Sequence, residues 1–157
     1  MVARPRRKRT EALLFACRNA NGVRGRKLEL DHFLGQSGID IFLLSDNHLR
    51  SGEAFRIANY VCHRSDRLTV GGGKAILFRR GIDHYALPVQ GLMHPEDTAI
   101  YVLMGSKPVK IVADYLSPIR PLFASYLSAC LGGGLPILTV GDLNAKHVDL
   151  NSRLTSA

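Results

Sequence analysis

The stretch Ile137-Leu138-Thr139-Val140-Gly141-Asp142-Leu143-Asn144-Ala145-Lys146-His147 constrains this chain most. A short apolar run reads as a buried strand, a glycine stops it, and an Asp, an Asn and a His follow in a loop. In α/β sheets the C-terminal mouths of strands are where ligands bind and reacting groups are displayed. Gly141-Asp142 is also a common turn pair. Directly after an apolar strand, and ahead of Asn144 and His147, it reads as a functional loop. The remaining groups of such a site must be sought upstream.

Upstream, Ala12 to Cys17 is a continuous apolar run that predicts a buried strand, followed by a loop with Asn19 and Asn21 before Gly22. Residues 26–36 place Leu30, Phe33 and Leu34 at helical spacing, with Gly38 as the stop. Ile39 to Leu44 predicts a second strand, ending in Ser45-Asp46-Asn47-His48. Strand, helix and strand make a βαβ-like opening with a polar cluster after each strand. From Tyr60 to Met104, short β-leaning runs split by Gly, Pro and Asp predict an antiparallel meander. Val109 to Ala113 adds a strand running into Asp114-Tyr115. Pro121 then opens a helix with Leu122, Tyr126, Leu127 and Cys130 on one stripe, closed by Gly132-Gly133-Gly134.

The pattern predicts a mixed α/β domain of the α+β type over residues 12–157, behind a basic, flexible tail of residues 1–11. Hydrophobic residues at 46% and charged residues at 22% are globular values, which excludes global disorder. The net charge of +8 points to a polyanionic partner such as DNA, although five of the 21 basic residues lie in Arg4 to Arg9. Three cysteines without a CxxC pair predict reduced, buried thiols in an intracellular protein. No apolar run is long enough for a membrane helix, and none follows the basic start as a signal peptide requires.

Four predicted strand ends carry polar clusters: Asn19 and Asn21; Asp46 and His48; Asp114 and Tyr115; Asp142, Asn144 and His147. If these ends converge, the site is rich in oxygen donors and poor in thiolates. Such a set suits Mg²⁺ or Mn²⁺ held by one or two carboxylates plus a substrate phosphate. Taken singly, each has a plainer reading. Asn19 and Asn21 serve as turn formers, Asp46 as a helix cap or Asx turn, and Tyr115 as a rim aromatic. Gly71-Gly72-Gly73-Lys74 fails the phosphate-loop spacing and reads as a hairpin bend. His32, His63, His84 and His94 lack ligand spacing and read as surface or loop residues.

In order along the chain, Asn19-Ala20-Asn21-Gly22-Val23-Arg24, Leu44-Ser45-Asp46-Asn47-His48-Leu49, Gly72-Gly73-Lys74-Ala75-Ile76-Leu77-Phe78, Tyr115 with Ser117-Pro118, and Gly141-Asp142-Leu143-Asn144-Ala145 with His147 resemble the endonuclease/exonuclease/phosphatase superfamily. The nearest likeness is to the apurinic-type endonuclease domain of non-LTR retrotransposons, covering about its first two thirds. Five motifs in the right order are specific where one is not. The resemblance implies two facing mixed β-sheets flanked by helices, and divalent-metal hydrolysis of a DNA phosphodiester in the nucleus.

By position, the resemblance implies that Asp46 and Asn19 hold the metal. Asn19 also supports the catalytic Asp, Tyr115 contacts the phosphate or attacking water, Asp142 deprotonates that water, and Asn144 binds the phosphate. Asn21, Arg24, His48 and His147 fall on the substrate side. Two departures stand out. The family usually has Glu where this chain has Asp46, a reach shorter by about 1.5 Å. The chain also stops after the Gly-Asp-Leu-Asn strand and loop, before the family's further acidic residue and its Ser-Asp-His motif. The sequence therefore carries three expectations: an endonuclease domain with little activity unless extended, a nonenzymatic nucleic-acid-binding remnant, and a phosphatase of the same superfamily. Incompleteness also predicts marginal stability or self-association.

Overall fold

The computed structural model describes residues 12–66, 72–86, 98–104, 107–115 and 123–142. It contains two four-stranded sheets. In the first, β1 (Phe15–Asn19), β2 (Ile41–Ser45), β4 (Lys74–Arg79) and β3 (Tyr60–Ser65) lie side by side in that order. The second runs β5 (His84–Ala86), β6 (Thr98–Met104), β7 (Lys107–Tyr115) and β8 (Ile137–Asp142). β1 pairs with β2 in parallel and β7 with β8 in parallel, while the other neighbours are antiparallel. Each sheet is therefore mixed, as the family resemblance implies.

The period-two alternation of strands sorts the core into layers. Ile41 and Leu43 of β2 join Ile76 and Phe78 of β4 against Ile100, Val102, Ile111 and Ala113 of the second sheet, forming the buried seam between sheets. Phe42, Leu44, Ala75 and Leu77 point the other way, onto Leu30 and Leu34 of α1 (Lys27–Ser37). On the far side, Cys130 of α2 (Ala124–Leu131) packs with Ala99, Val112 and Ile137. The architecture is thus helix, sheet, sheet, helix. Gly38 ends α1 in the left-handed conformation, φ 71°, as a C-terminal glycine should. Buried Lys110 donates from Nζ to the Cys130 and Gly132 carbonyls at 2.9 and 3.3 Å, satisfying the end of α2.

Several expectations need correction. The run from Tyr60 to Met104 is not one meander: β3 and β4 belong to the first sheet, β5 and β6 to the second. Short β runs in series look alike in sequence whichever sheet they join. The first strand lies later than expected, because its parallel register with β2 carries pairing through Asn19 to Ser45. Cys17 is exposed, while Cys62 is half-buried and Cys130 buried. Burial pushes the Cys62 thiol up to about 11. Phe33, on α1, stays half-exposed. His63 and His84 are not isolated surface groups: their Nε2 atoms lie 2.8 Å apart, and the His84 ring stacks on Phe78. Residues 1–11, Pro121, Leu122 and His94 lie outside the described residues.

Candidate active site at the strand ends

Parallel pairing within each sheet sends the C-terminal ends of β1, β2, β7 and β8 to the same rim. In register, Asn19 pairs with Ser45, Ser45 with Lys74, Asp114 with Gly141, and Tyr115 with Asp142. A cleft of about 200 Å³ opens there between the sheets, lined by Arg18, Asn19, Ser45, Asp114, Gly141 and Asp142 among others. A second cleft of about 250 Å³, behind β1 and against α1, is mostly apolar in its lining. The polar groups favour the first cleft as the reactive one.

The central contact crosses the cleft. Asn19 Nδ2 donates to Asp142 Oδ2 at 3.0 Å, and Asn19 Oδ1 accepts from the Asn21 backbone N–H at 3.1 Å. Asn19 therefore performs a local turn function and a long-range one at once. Gly141, just before Asp142, cannot be larger: a Cβ there would overlap the Asp114 carbonyl. The glycine of the Gly-Asp-Leu-Asn motif is thus required by the close approach of β7.

Asp46 is organised by its own loop. Its Oδ1 accepts from the Gly72 N–H and lies 2.9 Å from His48 Nε2, which makes that nitrogen the donor. Asn21, Asp46 and His48 all have positive φ, at 42, 54 and 56°. Asn and Asp tolerate this region better than most side chains, and such departures cluster at functional loops. Fully buried Asn47 accepts the Leu49 N–H at 2.9 Å and sits where a Cβ on Gly73 would lie 2.6 Å from its Oδ1. The triple-glycine stretch is more than a hairpin bend: Gly72 and Gly73 form the wall against which the Asp46 loop is built.

Asn19 and Asp142 are therefore brought into contact, with Asp46 beside them on the adjoining strand end but turned towards Gly72 and His48. Arg24 is committed elsewhere. Its guanidinium makes two 2.7 Å bonds to Glu53, which with the Arg50 N–H hold the Glu53 carboxyl down at about 2. The Asn21 side chain is exposed at the rim. Tyr115 is placed by its backbone alone, and Asn144 and His147 lie outside the described residues.

Among the described residues no three His, Cys, Asp or Glu side chains group closely enough to hold an ion. The groups carried by these neighbouring strand ends, the Asp142 carboxylate beside Asn19 and the Asp46 carboxylate on the adjoining strand end, are hard oxygen donors. They fit Mg²⁺ or Mn²⁺, which keep several waters and take one or two protein carboxylates.

The sequence places Asp114 at a strand end with Tyr115, but sequence reasoning missed Lys74 and the pairing of the two. Lys74 and Asp114 are buried, with Lys74 Nζ 3.6 Å from Asp114 Oδ1 across the two sheets. The signal was a lysine opening an otherwise apolar strand, Lys74-Ala75-Ile76-Leu77-Phe78, which is costly to bury without a partner.

Residues 18–157 match the Endonuclease/Exonuclease/phosphatase family. The chain is 32% identical over 127 residues to an RNA-directed DNA polymerase from the mobile element jockey of Drosophila funebris, covering 76% of this chain and 13% of that protein. It is 27% identical over 137 residues to a probable RNA-directed DNA polymerase from transposon BS of Drosophila melanogaster, covering 82% and 15%. It thus spans only a small part of the curated relatives it matches. Among solved structures, the endonuclease domain of TRAS1, a telomere-specific non-LTR retrotransposon, superposes with a TM-score of 0.67 at 18% identity, covering 87% of this chain and 61% of that one. An AP endonuclease from Archaeoglobus fulgidus gives 0.62 at 17%, covering 85% and 58%. These two likenesses establish the fold, two facing mixed sheets with flanking helices. Since the family match runs through the strand ends that carry Asn19, Asp46 and Asp142, the chain belongs to the Endonuclease/Exonuclease/phosphatase family.

Proposed function

We propose that this chain is the nuclease part of a retrotransposon-type polyprotein, nicking DNA by divalent-metal-dependent hydrolysis of a phosphodiester in the nucleus. The observation that carries this reading is the 3.0 Å bond from Asn19 to Asp142 across the mouths of two sheets. It holds a carboxylate at the lip of the cleft that Arg18 also lines. An Arg at such a lip attracts a phosphate backbone, and the net charge of +8 favours the same partner.

Asp46 and Asn19 would hold Mg²⁺, with Mn²⁺ able to replace it. When bound, the ion supplies charge neutralisation for the phosphate. Asn19 orients Asp142, and the Asp142 carboxylate takes the proton of the attacking water. Tyr115, level with Asp142 in the β7–β8 register, and Asn144, two positions further on, would bind the phosphate. Asn21, His48 and His147 would line the DNA side. Arg24 would reach DNA only as part of its pair with Glu53.

Nicking of supercoiled plasmid with Mg²⁺ tests the reading, on this chain and on a version extended past Ala157, each beside Asp142→Ala. Nicking that disappears in Asp142→Ala supports it. Nicking that survives the substitution overturns it, and salt-sensitive DNA retention without any nicking favours a binding module.

A further inference from the structure

The buried pair of Lys74 and Asp114 has no part in the chemistry just proposed, yet it sits directly beneath it. Lys74 heads β4 and is level with Ser45, one residue before Asp46. Asp114 lies in β7, level with Gly141, one residue before Asp142. The side chains are 2% and 0% exposed, and Nζ and Oδ1 are 3.6 Å apart. One charge therefore belongs to the sheet that carries Asp46, and the other to the sheet that carries Asp142.

Stability alone is a poor reason for such a pair. Desolvating two charges offsets most of their attraction, and well-packed apolar replacements of buried pairs are often neutral or stabilising. What the pair does provide is a directional tie under the strand ends, between two sheets whose seam is mostly non-directional apolar contacts, the His63–His84 contact being a separate polar crossing. The Asn19–Asp142 bond ties the same sheets at the lip, where it is exposed to water.

We propose that Lys74 and Asp114 are positioning residues: their buried ion pair fixes the separation of the Asp46 corner from the Asn19–Asp142 corner, and so tunes how tightly the site holds a divalent cation. This rests on the metal-dependent reading above. Neither side chain touches substrate; both act through the strand ends they join.

The test is Mn²⁺ binding, followed by the paramagnetic signal of the free ion, on the unmodified chain and on the double variant Lys74→Met/Asp114→Leu. Removing one charge of each sign leaves the net charge unchanged, so a change in affinity reports geometry. The double variant should melt at or above the unmodified chain. Its Mn²⁺ affinity should fall by about 10–100-fold, the usual effect of losing support behind a metal ligand. Equal melting with equal Mn²⁺ affinity overturns the positioning role alone. Absence of Mn²⁺ binding by the unmodified chain overturns the metal-dependent function, and the positioning role with it. If the apolar pair does not fold, the exchanged pair Lys74→Asp/Asp114→Lys decides. It keeps the tie, so Mn²⁺ affinity close to that of the unmodified chain is expected, and a folded exchanged pair with lost affinity overturns the role.

Discussion

Asn19 and Asp142 are 123 positions apart in the chain and 3.0 Å apart in space, amide nitrogen to carboxylate oxygen. One closes the first strand of the first sheet, the other the last strand described in the second. Because Asn19 orients rather than reacts, Asn19→Ala should lower nicking by about 10–100-fold, as removal of an orienting partner does. The bond is exposed, so stability should change by only about 1 kcal/mol. Parallel nicking and denaturation measurements check this: a loss of activity fully explained by unfolding would be the contrary result.

Asp46 combines a left-handed backbone with a carboxylate whose Oδ1 is already engaged by Gly72 and His48. Asp46→Asn keeps the size, the tolerance of positive φ and the acceptor oxygen, and removes the charge. Folding should be preserved to within about 1 kcal/mol. Mn²⁺ affinity should drop by more than about tenfold, since Asn offers a hard cation no charge. Retained affinity would mean that the metal is held elsewhere.

The strand ends were readable because each carries a local signature: an apolar run closed within two residues by Asp or Asn, with a serine or glycine between them at Asp46 and Asp142. Their convergence was not. That Asn19 meets Asp142 depends on β1 and β8 being on facing sheets, and no spacing in the chain encodes it. The split of the predicted meander has the same cause, since β4 and β5 look like hairpin partners in sequence yet join different sheets. Lys74 was hidden by its glycine neighbours, which suggested a bend rather than a buried charge. His63 and His84 were hidden because their partners are each other, across sheets.

Glu53 links the loop after the Asp46 cluster to Arg24, and its carboxyl is held down at about 2 from an ordinary 4.5, first by the Arg24 bond and then by the Arg50 N–H. A depressed carboxyl stabilises the fold fully above its unfolded value and loses that contribution as pH falls through its folded one. The difference in urea midpoint between the unmodified chain and Glu53→Gln should therefore be constant near neutrality. It should shrink from about pH 4.5 down to about 2. The pair is solvent-exposed, so high salt should reduce the difference at every pH. A gap that persists undiminished at acid pH would contradict the assignment.

The histidine pair should give the fold a second pH dependence of the same sign, in a higher pH window. His84 Nδ1 faces the Ile82 carbonyl at 2.7 Å, which makes it a donor and leaves Nε2 to accept from His63 Nε2. Burial, and then the neighbouring His84, push His63 below its ordinary 6.5. A histidine held neutral contributes stability that is complete above its unfolded value and declines as pH falls from there towards the folded one. Melting temperature should accordingly drop on acidification below about 6.5. His63→Gln, which can still donate to His84, should flatten that drop; an unchanged slope would place the titrating group elsewhere.

Two glycines make opposite predictions from the same substitution. Gly73 has φ 85°, and an added Cβ would come within 2.6 Å of Asn47 Oδ1, whose other contact shapes the Asp46 loop. Gly73→Ala should cost about 2–4 kcal/mol, combining left-handed strain with overpacking of a buried side chain. Because Gly72 and Gly73 back that loop, it should also weaken Mn²⁺ binding. Gly35 lies within α1, and a Cβ there meets nothing within 4 Å. Gly35→Ala should instead raise stability by about 0.8–1 kcal/mol through helix propensity alone and leave Mn²⁺ affinity unchanged. Equal effects of the two substitutions on denaturation midpoint would show that Gly73 is an ordinary turn residue rather than the wall of the site.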